Sequence, residues 1–231
     1  MRLLVVASEP REFSGLLAQT AGAEKAALAV DWARRVRFGG HEAVLIANGI
    51  GRERAAAAVD AACEALGADA VVSTGFCGAL APELGVAEVV VATEIEAPER
   101  RYTARPVECG RAHRSGMVCS VDRVARTVRE KQRLHATGGI AVEMEAAGIA
   151  ERAEMRGLPF YCVRAVTDLA GESLANDFNA ALRSNGHFDT MRILRGAFRQ
   201  PWVCVPELIR LRERCVRAAD TLGEFFADCR F

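Results

Sequence analysis

The segment Gly138–Asp168 constrains the fold of this chain more than any other. An apolar run, Ile140–Val142, leads directly into Glu143 and Glu145, and a helical pattern and a second apolar strand that ends near Asp168 follow. A buried strand has no structural need for carboxylates at its end, because a desolvated charge is costly unless it is paired or used. Open α/β sheets bind their ligands at the carboxyl ends of their strands. The segment therefore predicts an α/β sheet that acts on a small polar molecule.

Strand and helix patterns alternate along most of the remaining chain. The predicted strands are Leu3–Ala7, Ala26–Arg37, His41–Ala47, Ala70–Ser73, Glu88–Ile95, Met117–Val121, the strand with Val142, and Phe160–Val166. The predicted helices are one near Arg11, Glu53–Leu66, one capped by Asp122 that runs to His135, and Glu145–Arg156. Thr74–Gly78 is predicted to be a glycine turn and Pro98–Ser115 a loop. The alternation predicts a three-layer α/β fold whose central mixed β-sheet has helices on both faces.

The C-terminal part of the chain has a different pattern. Apolar residues recur at steps of three and four residues or their sums, which predicts an extra C-terminal helix with one apolar stripe: Leu208, Leu211, Cys215, Leu222, Phe226 and Cys229. Arginines share this helix, and they form either a solvated basic face or a peripheral membrane contact. Because no linker is visible, residues 1–231 are predicted to form a single domain, with 183–231 as a helical C-terminal extension.

Composition excludes several classes of protein. Lys+Arg and Asp+Glu number 30 each, so the chain lacks the basic excess of a general nucleic-acid binder. None of the eight cysteines forms a C-x-x-C pair, and several lie in apolar runs, as expected of small buried hydrophobes in a reducing cytosol. The sequence shows neither a signal peptide nor an apolar run of about 18 residues, which predicts a cytoplasmic protein. It also shows no metal cluster and no dinucleotide fingerprint, so we expect no cofactor and no metal.

Four motifs taken together resemble the nucleoside phosphorylase and nucleosidase superfamily, the purine nucleoside phosphorylase/uridine phosphorylase fold. They are Glu12, the turn Gly49–Gly51, the segment Thr74–Gly78, and the Glu143–Asp168 block. Within this superfamily the chain is most similar to 5′-methylthioadenosine/S-adenosylhomocysteine nucleosidases, on the segments Ile140–Ala146 (IAVEMEA), Val163–Asp168 (VRAVTD), Val72–Gly75 and Gly78–Pro82. Each motif alone is weak, but their order and spacing are specific, and the resemblance covers roughly Leu3–Asp168.

The resemblance implies a role for several of these side chains. Breaking an N-ribosidic bond produces an oxocarbenium-like sugar and an anionic purine, so the leaving base needs a proton. Asp168 is the implied general acid at the purine N7, with Thr167 orienting it. Glu145 would accept the ribose hydroxyls and Met144 would lie against the ribose. Glu143, on the same face as Glu145 if the segment is extended, would either lie near the sugar or form a structural salt bridge. Glu12 would activate the attacking water and pair with Arg164.

The nucleophile is either water or phosphate. A phosphorylase needs glycine amides and arginines around an anion, and Gly51 with Arg52 is the candidate phosphate or water site. The phosphorylases have an arginine before the glycine turn and a serine within it, whereas this chain has Val72–Ser73 and Phe76–Cys77 there, which favours water. Gly75, Phe76 and Cys77 would face the substrate. Val124 stands where the nucleosidases have a phenylalanine that stacks on adenine, although backbone groups of 121–124 would still be offered to the base.

A narrower resemblance points to the hopanoid-associated phosphorylase branch, whose members are thought to release adenine from adenosylhopane. It is carried by Ser120–Val124, the pair Glu130–Lys131, Arg199–Trp202 and Leu208–Leu211. It implies a bulky apolar 5′ group on a purine nucleoside, and a tail helix near a membrane. The alternatives are a phosphorylase, a hydrolase of the deoxyinosine-like nucleosides of menaquinone synthesis, and a non-catalytic nucleoside-binding protein. Superfamily members are commonly homo-oligomers, which is the expectation here as well.

Overall fold

A ten-stranded mixed sheet organises the computed structural model, which describes residues 1–20 and 22–231. Its strands are β1 (Arg2–Ala7), β2 (Glu24–Lys25), β3 (Trp32–Phe38), β4 (His41–Ala47), β5 (Ala70–Ala79), β6 (Val89–Glu96), β7 (Arg101–Thr103), β8 (Arg114–Ser120), β9 (Gly139–Glu143) and β10 (Phe160–Asp168). The helices are α1 (Ser14–Ala18), α2 (Arg52–Leu66), α3 (Val128–His135), α4 (Ala146–Met155), α5 (Phe178–Ala181), α6 (Thr190–Ala197) and α7 (Pro201–Asp228), and a 3-10 turn over Pro10–Phe13 precedes α1.

The sheet is parallel at its centre and curls on one side. β1 lies between β4 and β5 and is parallel to both, and β5 is also parallel to β10. The strands β5, β10, β6, β8 and β9 pair in succession, and β9 returns to β5, so these five close into a ring. Apolar side chains from α2 and α4 pack in one core, and those from α1 and α7 pack in another core across the sheet. The predicted three-layer α/β fold with a central mixed sheet is confirmed.

Two predicted elements differ because tertiary pairing overrides the local pattern. The glycine turn over Thr74–Gly78 is wrong: β5 continues through it, since β10 pairs with it residue by residue, with Arg164 opposite Gly75 and Val166 opposite Cys77. The single strand Ala26–Arg37 is wrong as well. The chain is paired at β2 and β3 but leaves the ladder between them, where the Ala26 amide donates to the Ala33 carbonyl.

Two further predicted boundaries, one of a loop and one of a helix, are wrong. The predicted loop Pro98–Ser115 contains β7, which pairs with β6, and the start of β8. Asp122 does not cap α3. The cap is Thr127, whose hydroxyl accepts from the Glu130 amide while the Glu130 carboxylate accepts from the Thr127 amide. This reciprocal capping box satisfies two backbone donors, which Asp122 is too far upstream to do.

The C-terminal helix α7 packs on α1 and β10. In the C-terminal half of α7, Leu222 and Phe226 of the predicted stripe are buried. Nearer the start of the helix, Leu208, Leu211 and Cys215 are partly buried. Gly15 of α1 and Gly223 of α7 meet where the two helices cross, because a Cβ on either glycine would collide with the other helix's backbone. All eight cysteines are free. Among the described residues, no helix combines the length and the apolarity that crossing a bilayer requires.

Candidate active site

A cavity of about 490 Å³ opens at the carboxyl ends of β5, β9 and β10. This is where an α/β sheet is expected to hold a ligand. It brings together most of the residues predicted from the sequence: Glu12, Phe76, Cys77, Val124, Glu143, Met144, Glu145, Thr167 and Asp168. Gly75 and Arg164 lie directly behind this lining. The described residues contain no group of three His, Cys, Asp or Glu side chains placed to hold a metal ion.

The Glu12 carboxylate is fixed at the cavity wall by four hydrogen bonds. Its Oε2 accepts from the Ser8 amide (2.8 Å), the Ser8 hydroxyl (2.7 Å) and the Glu9 amide (2.7 Å), while Oε1 accepts from the Phe76 amide (2.8 Å). The 3-10 turn that follows β1 places Glu12 within reach of these donors. Oε1 keeps acceptor capacity for a further partner, because a carboxylate oxygen has two lone pairs. Glu12 is therefore oriented to accept a hydrogen bond from a small polar molecule in the cavity.

Gly75 provides the space in which Glu12 and Arg164 approach β5. A Cβ at this position would collide with the Glu12 carboxylate and come within 3.0 Å of Arg164 Nη1, and the backbone φ of +128° also disfavours a side chain. The sequence predicts Gly75 as a residue that faces substrate. In the structure, the missing side chain at Gly75 instead allows Glu12 and Arg164 to approach the same point of β5.

Arg164 is fully buried, and its partner differs from the prediction. Its guanidinium donates to the Glu143 carboxylate (2.5 Å), the Ser73 hydroxyl (2.6 Å) and the Thr74 carbonyl (2.7 Å). The predicted ion pair between Glu12 and Arg164 is absent from the ion pairs of the described residues, because Glu143 occupies the guanidinium. Of the two alternatives for Glu143, the salt bridge is formed, and Glu143 also lines the cavity.

Glu143 and Glu145 do not share the face of an extended strand. Glu143 ends β9, and the chain then turns so that Glu145 is the N-cap residue of α4, with the amides of Glu145 and Ala146 donating to the Glu143 carboxylate. Glu145 accepts from the Gly51 amide at 3.1 Å and lies 3.8 Å from Arg164 Nη1. Burial, and then the charge of Glu143, raise the pKa of Glu145 to about 8. Near neutral pH the Glu145 carboxyl therefore favours its protonated form.

Asp168 lies at the end of β10 with its carboxyl against β5. Gly78 makes this approach possible, since a Cβ there would come within 2.9 Å of Asp168 Oδ2. Lys131 Nζ donates to Oδ2 at 2.5 Å, and the Thr167 hydroxyl lies 3.3 Å from Oδ1. Burial raises the pKa of Asp168, and the ammonium of Lys131 opposes this shift without cancelling it. A carboxyl with a raised pKa at a cavity wall is suited to donate a proton near neutral pH.

The predicted phosphate or water site at Gly51 and Arg52 is not part of the cavity lining. The Arg52 guanidinium forms ion pairs with Glu99 (2.8 Å) and Glu151 (3.2 Å), and the Gly51 amide donates to Glu145. The Gly51 amide therefore binds the carboxyl group of Glu145 and not an anion from outside the chain. Local sequence could not reveal this, because Glu99 and Glu151 approach Arg52 only in the folded chain.

Val124 borders the cavity, but its backbone is already paired. Its amide donates to Asn179 Oδ1 (2.8 Å) and its carbonyl accepts from Asn179 Nδ2 (3.0 Å). The Val121 amide donates to the Glu143 carbonyl. The expectation that 121–124 offers backbone groups to a base is therefore corrected for the Val121 amide and for both backbone groups of Val124, which are paired within the protein.

Sequence reasoning missed several residues that complete the site. Lys131 carried a signal: Val128, Lys131 and Leu134 follow at three-residue steps, which places a lysine on the apolar side of α3. Ser8 gave none, because its role depends on the 3-10 turn. One wall of the cavity is apolar and comes from the segments around α5, α6 and α7: Leu174, Phe178, Phe188, Ile193, Leu194, Leu208 and Leu211.

Comparisons with known proteins identify the family of the chain. Residues 2–189 match the Phosphorylase superfamily. The 5′-methylthioadenosine/S-adenosylhomocysteine nucleosidase of Chromohalobacter salexigens is 27% identical over 184 residues, covering 67% of this chain and 78% of that protein. A Helicobacter pylori nucleosidase, a mutant with 5′-methylthioadenosine in its active site, superposes with a TM-score of 0.73 at 16% identity, covering 97% of this chain and 95% of that one. Helicobacter pylori futalosine hydrolase gives 0.72 at 15% identity, covering 97% and 95% of the two chains.

Proposed function

Because this chain belongs to the phosphorylase superfamily, we propose that it cleaves the N-glycosidic bond of an adenosine-type nucleoside modified at the 5′ position, with water as the nucleophile. The observation that carries this proposal is a set of three acids around one buried guanidinium: Arg164 pairs with Glu143, lies 3.8 Å from Glu145, and approaches Glu12 across the space left by Gly75. Such a cluster favours a positive charge that develops on the sugar, and it disfavours a phosphate anion as the attacking group.

The proposed reaction divides the chemistry between two carboxyl groups that line the cavity. As the C–N bond breaks, its electron pair moves to the purine, and Asp168 gives its proton to the departing base. Glu12 Oε1 accepts a proton from the water that attacks the sugar. The chain thus uses one carboxyl as an acid and another as a base, which their different surroundings permit.

Glu145 and Met144 are proposed to hold the ribose. A Glu145 carboxyl with a pKa of about 8 can donate or accept a hydrogen bond when a ribose hydroxyl arrives. Positive charge on the sugar would then favour the ionised form of this carboxyl in the transition state. The interaction strengthens as the reaction proceeds, which is the condition for lowering the barrier. Thr167, which lies beside Asp168, would help to orient the acid.

The apolar wall supports an apolar 5′ substituent. A ribose placed between Glu12 and Glu145 can direct its 5′ carbon towards Leu194, Leu208 or Leu211, which lie on α6 and α7. Relatives named 5′-methylthioadenosine/S-adenosylhomocysteine nucleosidase act on nucleosides with a 5′ thioether, by their names, and futalosine hydrolase is named for a different nucleoside. A larger apolar group, as in the hopanoid-associated branch, stays a prediction, as do a cytoplasmic location and a homo-oligomer.

The most decisive experiment is a panel of nucleosides assayed for the liberated base, with and without inorganic phosphate. We expect turnover in phosphate-free buffer and a free reducing sugar as the second product. Turnover that requires phosphate and yields a sugar 1-phosphate would favour the phosphorylase alternative. Binding of nucleosides without release of any base would favour the non-catalytic alternative, and preference for a deoxyinosine-like nucleoside would favour the futalosine type.

We also propose that α6 and α7 contact a membrane surface peripherally. Trp202 is 91% exposed and Phe198 is 76% exposed, and exposed arginines occur on α6, on α7 and in the turn between them: Arg195, Arg199, Arg210 and Arg212. Exposed aromatic side chains beside arginines are typical of helices that bind anionic interfaces.

Sedimentation with lipid vesicles tests this contact. We expect binding to vesicles that contain an anionic lipid, weaker binding to purely zwitterionic ones, and loss of binding in the double variant Phe198→Ser and Trp202→Ser. Absence of binding to both kinds of vesicle would leave the arginines as a solvated basic face.

A further inference from the structure

Lys131 is a fully buried lysine that contacts the proposed general acid. Its exposed fraction is 0%, and Nζ donates to Asp168 Oδ2 at 2.5 Å and to the Leu169 carbonyl at 2.6 Å. A buried ammonium is costly unless it is paired and hydrogen-bonded, and these contacts satisfy both conditions. Such a pair adds little to folding stability compared with apolar residues of similar size. Its presence beside the reacting centre therefore calls for a functional explanation.

The helix that carries Lys131 is held at both ends, so the ammonium has a defined position. The Thr127–Glu130 capping box fixes the start of α3. Near its end, the His135 ring is hydrogen-bonded to the Gly139 carbonyl at 2.8 Å, which ties the helix to β9. Lys131 therefore approaches Asp168 from an element that does not itself line the cavity floor, and it can restrain the carboxyl without contacting a substrate.

The two oxygens of Asp168 are engaged unequally. Lys131 occupies Oδ2 with a short hydrogen bond, whereas Oδ1 has only the Thr167 hydroxyl at 3.3 Å. Because the carboxyl borders the cavity, Oδ1 is the oxygen free to meet a nucleobase. The ion pair therefore leaves Oδ1 as the less engaged of the two oxygens.

We infer that Lys131 is a positioning residue for the reaction, which holds Oδ2 of Asp168 and stabilises the carboxylate that forms when Oδ1 gives its proton to the leaving base. The inference rests on the proposed function. In the step itself, the C–N electron pair passes to the base, the proton leaves Asp168, and the resulting carboxylate is paired with the ammonium, so charge and protons balance. An ammonium that interacts more strongly after proton transfer than before it lowers the barrier.

The other charged or titratable groups near Asp168 do not compensate for Lys131. Glu172 follows β10 and is paired with Arg214 of α7 through two hydrogen bonds of 2.6 and 2.9 Å, so their charges largely cancel. The thiols of Cys77 on β5 and Cys215 on α7 are neutral near pH 7, because burial raises the pKa of both. Removal of Lys131 should therefore leave the Asp168 carboxylate without a directly bonded cation.

Four variants test this inference: Lys131→Met, Lys131→Gln, Lys131→Arg and, as a control on the exposed side of the same helix, Arg133→Gln. Asp168 acts in its protonated form, and Lys131 lowers its pKa. Removing the charge should therefore move the alkaline limb of the kcat/KM profile upward by about 1 pH unit or more. Because the acid also becomes weaker, kcat should fall roughly 10- to 100-fold, with KM changed by less than about threefold.

The conservative variants separate charge from shape. Lys131→Arg should keep the alkaline limb near its original pH, whereas Lys131→Gln, which keeps a hydrogen-bond donor but no charge, should move it as Lys131→Met does. If Lys131→Met does not fold, Lys131→Gln provides the same measurement. Arg133→Gln should leave the profile unchanged.

An unmoved alkaline limb in folded Lys131→Gln would overturn the inference and leave Lys131 a structural residue. Asp168→Asn distinguishes this failure from failure of the proposed function. If Asp168→Asn retains full activity, the acid assignment itself is wrong. If Asp168→Asn loses activity, adding Lys131→Gln to it should change the residual rate by less than about twofold, because Lys131 acts through Asp168.

Discussion

At the level of single residues, Asp168 experiences two opposing influences. Burial raises the pKa of its carboxyl, and the ammonium of Lys131 restrains the rise. A general acid that works near neutral pH needs a pKa between that of a solvated carboxyl and that of a fully buried one. The position of Lys131 can thus adjust the pKa of the Asp168 carboxyl, while Gly78 allows this carboxyl to lie where it meets the cavity.

Replacement of Asp168 by Asn removes the proton without altering the shape of the side chain. We expect Asp168→Asn to lower kcat by roughly 10²- to 10⁴-fold while nucleoside binding persists, because an amide cannot give up a proton as a carboxylic acid does, although its oxygen can still accept a hydrogen bond from Lys131. Release of free base and binding of substrate by calorimetry would be measured side by side. Asp220→Asn, an exposed aspartate on α7, serves as the matched control. Unchanged turnover in Asp168→Asn would contradict its role as the acid.

At the level of elements, α7 holds the segment that follows Asp168. Its Glu207 carboxylate accepts from the amides of Ala175 (2.7 Å) and Asn176 (3.0 Å) and from the Asn176 side chain (2.7 Å). Further along the same helix, Arg214 binds Glu172 and lies 3.4 Å from the Thr167 carbonyl. Two charged residues of one helix therefore anchor the chain between β10 and α5.

Removing the Glu207 carboxylate should leave the buried Asn176 amide without its acceptor, whereas the Asn176 side chain keeps the Cys204 carbonyl and Ala175 is exposed to solvent. We expect Glu207→Ala to lower the free energy of unfolding by about 1–3 kcal/mol, since this is the cost of a buried donor left unpaired. Urea denaturation measures the change. Glu213→Ala, exposed on the same helix, should stay within about 0.5 kcal/mol. Equal effects of the two variants would show that the anchoring contacts contribute little.

At the level of the whole molecule, two apolar cores lie on opposite faces of one sheet, and α7 contributes to one of them. Phe226 packs edge-on against Phe38 of β3, with ring centres 5.8 Å apart, and stacks with Phe231 at 5.7 Å. Phe225 and Leu222 are buried in the same core. The C-terminal half of α7 is thus packed in one of the two cores, while its N-terminal half contributes to the apolar wall of the cavity.

A large-to-small substitution in this core tests whether α7 folds cooperatively with the sheet. We expect Phe226→Ala to lower the free energy of unfolding by about 3–5 kcal/mol and to shift the whole transition, because a cavity forms beneath β3 and β4. Val216→Ala, on the exposed face of α7, should have little effect. A separate early transition confined to helical signal, with the main transition unmoved, would contradict this cooperativity.

The layer order of the fold, most strand positions and the acids of the site could be predicted from the amino-acid sequence. These follow from properties of short segments: apolar runs, glycines and the placement of Glu143, Glu145 and Asp168 at segment ends. Motif order then indicated the superfamily that the comparisons confirmed. Such features are local, so neighbouring residues in the chain carry the information.

The pairing of charges, in contrast, could be read only from the folded chain. Arg164 binds Glu143 and not Glu12, Arg52 binds Glu99 and Glu151 instead of facing the cavity, and Lys131 reaches Asp168 across the fold. Ion pairing depends on distances of a few ångströms between groups far apart in sequence, and it falls off steeply as they separate. Residue type and spacing cannot supply those distances, because strand register and helix packing set them.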